Sequence, residues 1–361
     1  MRLAQNPQTR VFQLTAAVVL PLTLVLPLVL PAFAATELLV WATFGLAFNL
    51  LLGYTGLLSF GHALYFGFGG YTLTLLLMHL RIPLLPGMLA AMAVGGVTAL
   101  IVGLVAIRRI GVYFAMLTLA AGQVGFFIAM TWTDFTGGDN GLSVPRPPIT
   151  IPGLGRIEIN EPLNYYYFVL VCFLITFLFF RRIADSPFGR LLQGIRENEL
   201  RARCLGVNVE RFKLLAFVLS GTFAGLAGAL DAMLVKFMHP DFVKWTTSGD
   251  VIVITVIGGA RSIFGPLFGS TVFVTLSDYI PKVCRAYSGS QLCDRWWLLL
   301  GAIFVLFMLF LRDGVWGRIE MALEARATRT LTRAGLVAAE TARMAPLADR
   351  AVEGESPLRR S

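Results

Sequence analysis

Nine apolar runs divide the chain, at residues 11–33, 38–52, 61–78, 86–107, 112–132, 164–180, 214–235, 250–279 and 296–311. Their lengths cluster near the ~20 consecutive apolar residues that one helical crossing of a bilayer requires. Between Val11 and Ile107 only Glu37 and Arg81 carry a charge. The pattern predicts an all-α fold, a polytopic transmembrane helical bundle.

Two places in this pattern are broken. A Gly-rich stretch rather than a polar loop joins the 38–52 and 61–78 runs. The 250–279 run is interrupted by Gly258-Gly259-Ala260-Arg261 and again by Gly265-Pro266. Reading that run as a down-and-up pair with its bend near Arg261 gives about nine or ten membrane-inserted helices, some of them broken. The first run ends in Ala32-Phe33-Ala34, an A-x-A pattern of the kind signal peptidase cuts. It is longer than a signal-peptide core of about 7–15 residues, so a retained first helix is expected.

Composition sharpens this picture. The chain is 57% hydrophobic and 14% charged, against about 25% charged in a soluble domain. Too little charge is present to cover a water-facing surface of this size, so lipid must solvate much of it. The net charge of +9 lies between the apolar runs, where it reads as topology rather than as nucleic-acid affinity. With the N-terminus in the cytoplasm, twenty-one Lys and Arg residues fall inside and eight outside, Arg261 being unassigned. That bias matches the positive-inside rule and puts both termini in the cytoplasm. Residues 1–311 then form the transmembrane domain, with 133–163 as an outer loop and 181–212 as a basic cytoplasmic loop. Residues 312–361 form a cytoplasmic tail, either an interfacial helix with Trp316, Ile319 and Leu323 on one side or a partly disordered segment.

Chemistry-bearing residues are sparse. Four cysteines and three histidines, with no CxxC spacing, point to no metal or redox site. Cys284 and Cys293 share the last outer loop and are a candidate disulfide, while Cys172 and Cys204 are expected to be free thiols. Asp231, near the outer end of the 214–235 run, is expected at headgroup level. Pairing with Lys236 and lining an exit are its other readings. No nucleophile–base set occurs, and no GxxxxGK[ST] phosphate loop, so ATP hydrolysis by this chain is not expected.

Three segments carry candidate function. In the first, Gly53, Tyr54, Thr55, Gly56, Ser59, Gly61 and His62 sit in a run whose glycines each cost a helix about 1 kcal/mol relative to alanine. It reads either as a broken helix facing a transport path or as close packing through small residues. His62 reads equally as a pathway residue or as a buried core histidine. The second segment holds Gly258, Gly259, Arg261, Gly265 and Pro266. Paired broken segments in the two halves of a chain point to a transport site. Arg261 is expected to snorkel at the bend. In the third, Leu191, Leu192, Ile195, Glu199, Ala202 and Leu205 form a helical stripe that Gly206 is suited to stop. Such a short amphipathic helix docks on headgroups, docks on a partner, or is a solvated loop that serves topology.

Four stretches together resemble the branched-chain amino acid ABC permease family, its LivM-like subfamily in particular. They are residues 53–72 (GYTGLLSFGHALYFGFGGYT), 136–145 (TGGDNGLSVP), 195–220 (IRENELRARCLGVNVERFKLLAFVLS) and 257–269 (IGGARSIFGPLFG). The resemblance implies the permease subunit of an importer in the bacterial cytoplasmic (inner) membrane. It implies a second homologous permease (LivH-like), two cytoplasmic ATPases that hold ATP and Mg, and a solute-binding protein outside. No cofactor is expected on this chain. It further implies that residues 195–206 are the ATPase-coupling helix. Arg196, Glu197, Glu199, Arg201 and Arg203 are then its polar contacts, and Leu192, Ile195 and Leu205 its apolar ones. Residues 136–145 read either as a contact for the binding protein or as a plain loop capping two helices. The substrate class implied is branched-chain or other amino acids, with urea, amides and aromatic acids also carried in such families. The competing reading is an ion-gradient-driven secondary transporter. It would use intramembrane carboxylates as relays and leaves the 187–206 segment unexplained.

Overall fold

Prolines mark where helices begin. The structure, a computed structural model, describes residues 23–151, 155–260 and 262–287, with isolated positions before and after. The start of the first run, most of the last run and the tail, together with Arg261, Cys293 and the side chain of Cys284, lie outside the described residues. Helix α1 (Ala32–Asn49) begins directly after Pro31. The chain bends at Leu30 because Pro31 cannot donate to the preceding turn. The boundary between the first two predicted spans therefore falls before Ala32 rather than near residue 35, and Glu37 lies inside α1 instead of in a connection. Pro83 likewise precedes α3 (Leu84–Ala106), while Pro162 opens α5 (Pro162–Asp185) and Pro187 opens α6 (Pro187–Glu197). A proline in the first turn loses no helical hydrogen bond.

The other helices are α2 (His62–His79), α4 (Val112–Thr131), α7 (Glu199–Cys204), α8 (Val209–Val235), α9 (Trp245–Gly258) and α10 (Gly265–Tyr287). Among the described residues five helices are long and apolar enough to cross a membrane: Ala32–Thr55, Leu84–Ala106, Val112–Thr131, Pro162–Asp185 and Val209–Val235. Strands are minor. β1 (Leu142–Ser143) pairs antiparallel with β4 (Phe237–Met238), and β2 (Ile149–Ile151) with β3 (Gly155–Ile157). The fold is a helical membrane bundle.

Helix α1 is the hub, buried along nearly its whole length and packed on α5, α8 and α10. Helices α2, α3 and α8 form a second cluster through a seam of small residues. Gly69 of α2 and Gly95 of α3 both lie against Gly225 of α8, so closely that a Cβ would meet backbone atoms. Close backbone approach of this kind is how helices associate when lipid is as apolar as their side chains. The outward faces of α3 and α4 expose Leu89, Ile101, Val124 and Phe127; these suit hydrocarbon or another apolar chain, not water.

The loops sort to two ends. At one, the connection 186–208 lies against the Leu50–Thr55 turn that follows α1. At the other, the predicted outer loop is tied to the segment after α8 by the β1–β4 pairing and by Val144 N–H donating to the Lys236 carbonyl at 3.0 Å.

Candidate translocation site

The first break arises from a change of helical pitch. After Asn49 the backbone opens into a π-turn over Leu50–Thr55, a rare geometry that clusters at functional sites. Gly56 then reverses the chain with φ 74°, a conformation open to glycine without steric cost. Residues 57–61 are not helical, so their amides need other acceptors. Phe60 N–H donates to the Thr118 hydroxyl at 3.2 Å and Gly61 N–H to the Ser59 hydroxyl at 3.4 Å, and in the first turn of α2 Ala63 N–H donates to the Ser248 hydroxyl at 2.8 Å. The glycines of this run divide between the break and helix packing. Gly53 and Gly56 belong to the break, whereas Gly67, Gly69 and Gly70 lie inside regular α2 and pack on other helices.

The second break is a hairpin. Helix α9 stops at Gly258, and Ser262 N–H and Gly265 N–H close successive turns onto the Gly259 and Ser262 carbonyls at 3.1 and 3.3 Å. Helix α10 then runs back along α9. A Cβ on Gly258 would overlap the Gly265 carbonyl, and one on Gly269 the Ile254 carbonyl. The two helices thus form a hairpin, as the interrupted run predicted, with its turns closed between Gly259 and Gly265.

The two breaks meet. The Asn49 amide donates to the Ser262 carbonyl at 2.9 Å, and Gly53 backs onto the Ala260 carbonyl with no room for a side chain. Pro266 lies against Gly45, one turn before Asn49. Tyr54 and Thr55 are buried in the π-turn itself. The Asn49 Oδ1 and Ser262 Oγ atoms, both buried, have no partner among the described residues, so the junction keeps unused polar capacity.

His62 stands apart from this junction. It is fully buried, with Nε2 2.8 Å from the Ser220 hydroxyl, which itself donates to the Ala47 carbonyl at 2.6 Å. A hydroxyl has one proton, so Ser220 accepts from His62 and the imidazole carries its hydrogen on Nε2. The rings of Phe48, Tyr65 and Phe217 meet it edge-on, with centroids 4.9, 5.3 and 5.9 Å away. Of its two readings, this geometry is that of a core histidine bridging α1, α2 and α8.

The predicted single stripe over 191–205 is two helices. Asn198 ends α6 in an extended conformation and starts α7, its side chain accepting from Arg201 N–H at 2.8 Å. A residue that caps so well competes with helix continuation. Ser186 caps α6 and Asn208 caps α8 in the same way, at 3.2 Å each. The segment also has a small core of its own, in which Ile195, Ala202 and Val209 are buried beneath Leu191, Val207 and Phe212. Leu192 is buried as well. Leu205, by contrast, is 77% exposed and Leu200, which lies outside the 191–205 stripe, 72%.

The charged residues of this segment divide similarly. Arg201, Arg203 and Gly206 are exposed, and Gly206 turns the chain with φ 83°. Glu199 pairs with Lys213 Nζ at 2.6 Å and with Arg203 Nη2 at 2.7 Å, which fastens α7 to the start of α8. Burial alone would raise the Glu199 carboxyl, but the hydrogen bond and charge of Lys213, then of Arg203, outweigh it and hold the group below its ordinary value. Arg196 turns inward and donates from Nη1 to the Gly53 carbonyl. Gly53, Gln193, Arg196 and Glu197 line a cleft of about 230 Å³.

At the opposite end Arg146, not singled out from sequence, donates to the Met233 and Leu234 carbonyls at 2.5 and 2.7 Å and lies 4.5 Å over the Tyr165 ring. An arginine amid prolines gives no pattern that would have revealed this cap on α8. Asp231 is 5% exposed rather than solvated at headgroup level, since Tyr165 covers this part of α8 and donates to the Leu230 carbonyl at 2.5 Å. In the 136–145 loop, the Thr136 hydroxyl shares its proton between the Ala129 and Trp132 carbonyls, 2.6 and 2.8 Å away, and His239 Nε2 lies 2.9 Å from the Asp139 carbonyl. The loop is built as a brace between α4 and the segment after α8. Among the described residues no group of three His, Cys, Asp or Glu could hold a metal.

Comparison with known proteins adds to this geometry. The family model described as branched-chain amino acid transport system, permease component, matches residues 30–311. The high-affinity branched-chain amino acid transport system permease protein LivM of Escherichia coli K12 is 28% identical over 302 residues, covering 78% of this chain and 68% of LivM. The autoinducer 2 import system permease protein LsrC of Escherichia coli O9:H4 is 28% identical over 253 residues, 66% of this chain and 68% of that protein. The guanosine ABC transporter permease protein NupQ of Bacillus subtilis is 28% identical over 173 residues, 45% of this chain and 51% of NupQ. No solved structure matches the chain.

Proposed function

Since the chain belongs to the branched-chain amino acid permease family of ABC transport systems, we propose that it is one half of the membrane channel of an importer for a small polar solute, most simply an amino acid. A second, homologous permease supplies the other half. Two ATPases bind ATP and Mg on the cytoplasmic side, and a binding protein delivers solute from outside. Both termini and residues 181–212 face the cytoplasm of a bacterial inner membrane, and 133–163 face outward. Residues 1–311 are the permease domain and 312–361 a cytoplasmic tail.

The observation that carries this reading is the contact of the 187–206 segment with the first helix break, through Arg196 and Gly53, and of that break with the second, through Gly53 and Ala260. A partner that grips the first can move the second. In this scheme α6 and α7 dock into an ATPase, and closure of the two ATPases swings them as a rigid unit. The junction of Asn49, Gly53, Gly258 and Ser262 opens or closes the inner end of the path. Of the predicted apolar contacts, Leu205 meets the ATPase, joined by Leu200. Leu192 and Ile195 stiffen the docking unit from within.

The substrate rests on family membership alone. LivM is named for branched-chain amino acids, while LsrC and NupQ are named for autoinducer 2 and guanosine, so selectivity is assigned to the binding protein. The experiment is co-expression with the neighbouring ATPase, permease and binding-protein genes, followed by purification and uptake in proteoliposomes. The expected outcome is a complex whose uptake needs ATP. A transport-competent homo-oligomer with no ATPase would overturn the reading in favour of an ion-driven transporter.

A further inference from the structure

The Gly53 carbonyl is an acceptor that its own helix cannot satisfy. In the π-turn the next available amide, Leu57 N–H, bonds instead to the Leu51 carbonyl at 3.3 Å, and the chain reverses at Gly56. Carbonyls at such a helix end need an outside donor and carry partial negative charge. Arg196 supplies both needs. Its guanidinium donates to the Gly53 carbonyl, and its aliphatic stem lies over Gly56, where a Cβ would come within 3.1 Å of Arg196 Cγ. On its far side Gly53 is pressed against the Ala260 carbonyl of the second break.

We propose that Arg196 is a transmission residue rather than an ATPase contact: it couples displacement of α6 to the π-turn and, through Gly53, to the bend at 258–262. The proposal rests on the permease reading above and assigns the residue that links its docking unit to its gate. Three features fit that role. Arg196 belongs to α6, whose orientation is fixed by the buried Leu192 and Ile195, so the side chain moves with the helix. The bond it makes is to backbone, so pulling on it displaces the main chain instead of a rotamer. The cleft beside it, bounded by Gln193 and Glu197, leaves the guanidinium space to travel.

The test uses the full complex, both permeases with ATPases and binding protein, in nanodiscs. Amide hydrogen exchange of residues 50–57 is compared without nucleotide and with MgATP plus vanadate, alongside ATPase rate and co-purification of the ATPases. In the unsubstituted complex the nucleotide changes exchange in 50–57. In Arg196→Ala that response falls about tenfold or more, as expected when a hydrogen bond from a charged donor is lost, while the ATPases still co-purify and hydrolyse ATP. Arg196→Lys keeps the charge with a single donor and gives an intermediate response; it carries the test if Arg196→Ala does not fold. An undiminished response in both variants overturns the proposal. So does loss of the ATPases from a permease pair that melts normally, which would make Arg196 a docking contact. If the unsubstituted permease pair binds no ATPase at all, the permease reading itself fails, a result separate from either outcome.

Discussion

Asn49 and Ser262 join the two halves of the chain: the amide of the first donates to the carbonyl of the second at 2.9 Å, where a π-turn and a hairpin bend meet. Asn49 is also the one amide or charged side chain in the 38–52 run. Replacing it with leucine removes the donor and strands a buried carbonyl, at a cost of about 1–2 kcal/mol. Gly53→Ala forces the Ala260 backbone to move, costing about 1–3 kcal/mol as overpacked sites do. Because both changes act on one junction, the double variant is expected to lose less than the two losses added. Thermal unfolding of the purified protein in nanodiscs measures all three. Unchanged midpoints would show that the breaks are not held together.

Glu199 makes the attachment of α7 sensitive to acid. Its folded-state carboxyl lies below the ordinary 4.5, so ionised Glu199 stabilises the folded state above that value. The contribution is lost as pH falls below 4.5 through the lower folded-state value. Proteolysis or amide exchange at 198–206 should therefore rise on acidification in that window. Glu199→Gln should show high exchange at neutral pH with little further change. The half-exposed Arg203 partner is worth about 1 kcal/mol or less and the loss is confined to the junction of α7 with the start of α8, where Lys213 is buried, so the bundle itself should stay folded.

Leu200 and Leu205 stand exposed while Ile195 lies within. Leu205→Asp and Leu200→Asp should leave the melting point unchanged, because neither side chain packs on this chain. Each should weaken capture of the ATPases about tenfold or more, given about 1.5–3 kcal/mol for burying one leucine. Ile195→Asp should instead unfold the segment and abolish capture. Pull-down with titrated ATPase, read beside circular dichroism, separates the two effects. Equal behaviour of all three variants would contradict the division between surface and core.

His62→Phe tests the structural role of the buried imidazole. The edge-on ring contacts survive and the Ser220 bond is lost, so stability should fall by about 1–2 kcal/mol. The concentration dependence of uptake by the assembled importer should be unchanged. A shifted half-saturation concentration with normal stability would return His62 to the transport path.

Much of this fold was written in its local pattern. The apolar runs, the two glycine interruptions and the stop at Gly206 can be read from spacing and turn chemistry, because helices in lipid depend on near neighbours in sequence. What could not be read depends on tertiary contact. Nothing local says that Asn49 reaches Ser262, that Arg196 turns toward Gly53 instead of outward, or that Ile195 is covered by Val209 and Phe212. The start of α1 differs for another reason: the apolar pattern parts at Glu37, whereas Pro31 sets the edge of the helix. The division of the 187–206 stripe was legible in principle, since Asn198 is a strong capping residue in the middle of a helical pattern.

The glycine seam of α2, α3 and α8 carries one mechanical consequence. Where Gly69, Gly95 and Gly225 touch, no side chains intervene that could re-orient to absorb sliding. Prising these helices apart would open an unfilled gap along their length. They are expected to travel together as a single plate, leaving compliance to the thinner elements on the other side, the π-turn and the 258–265 bend.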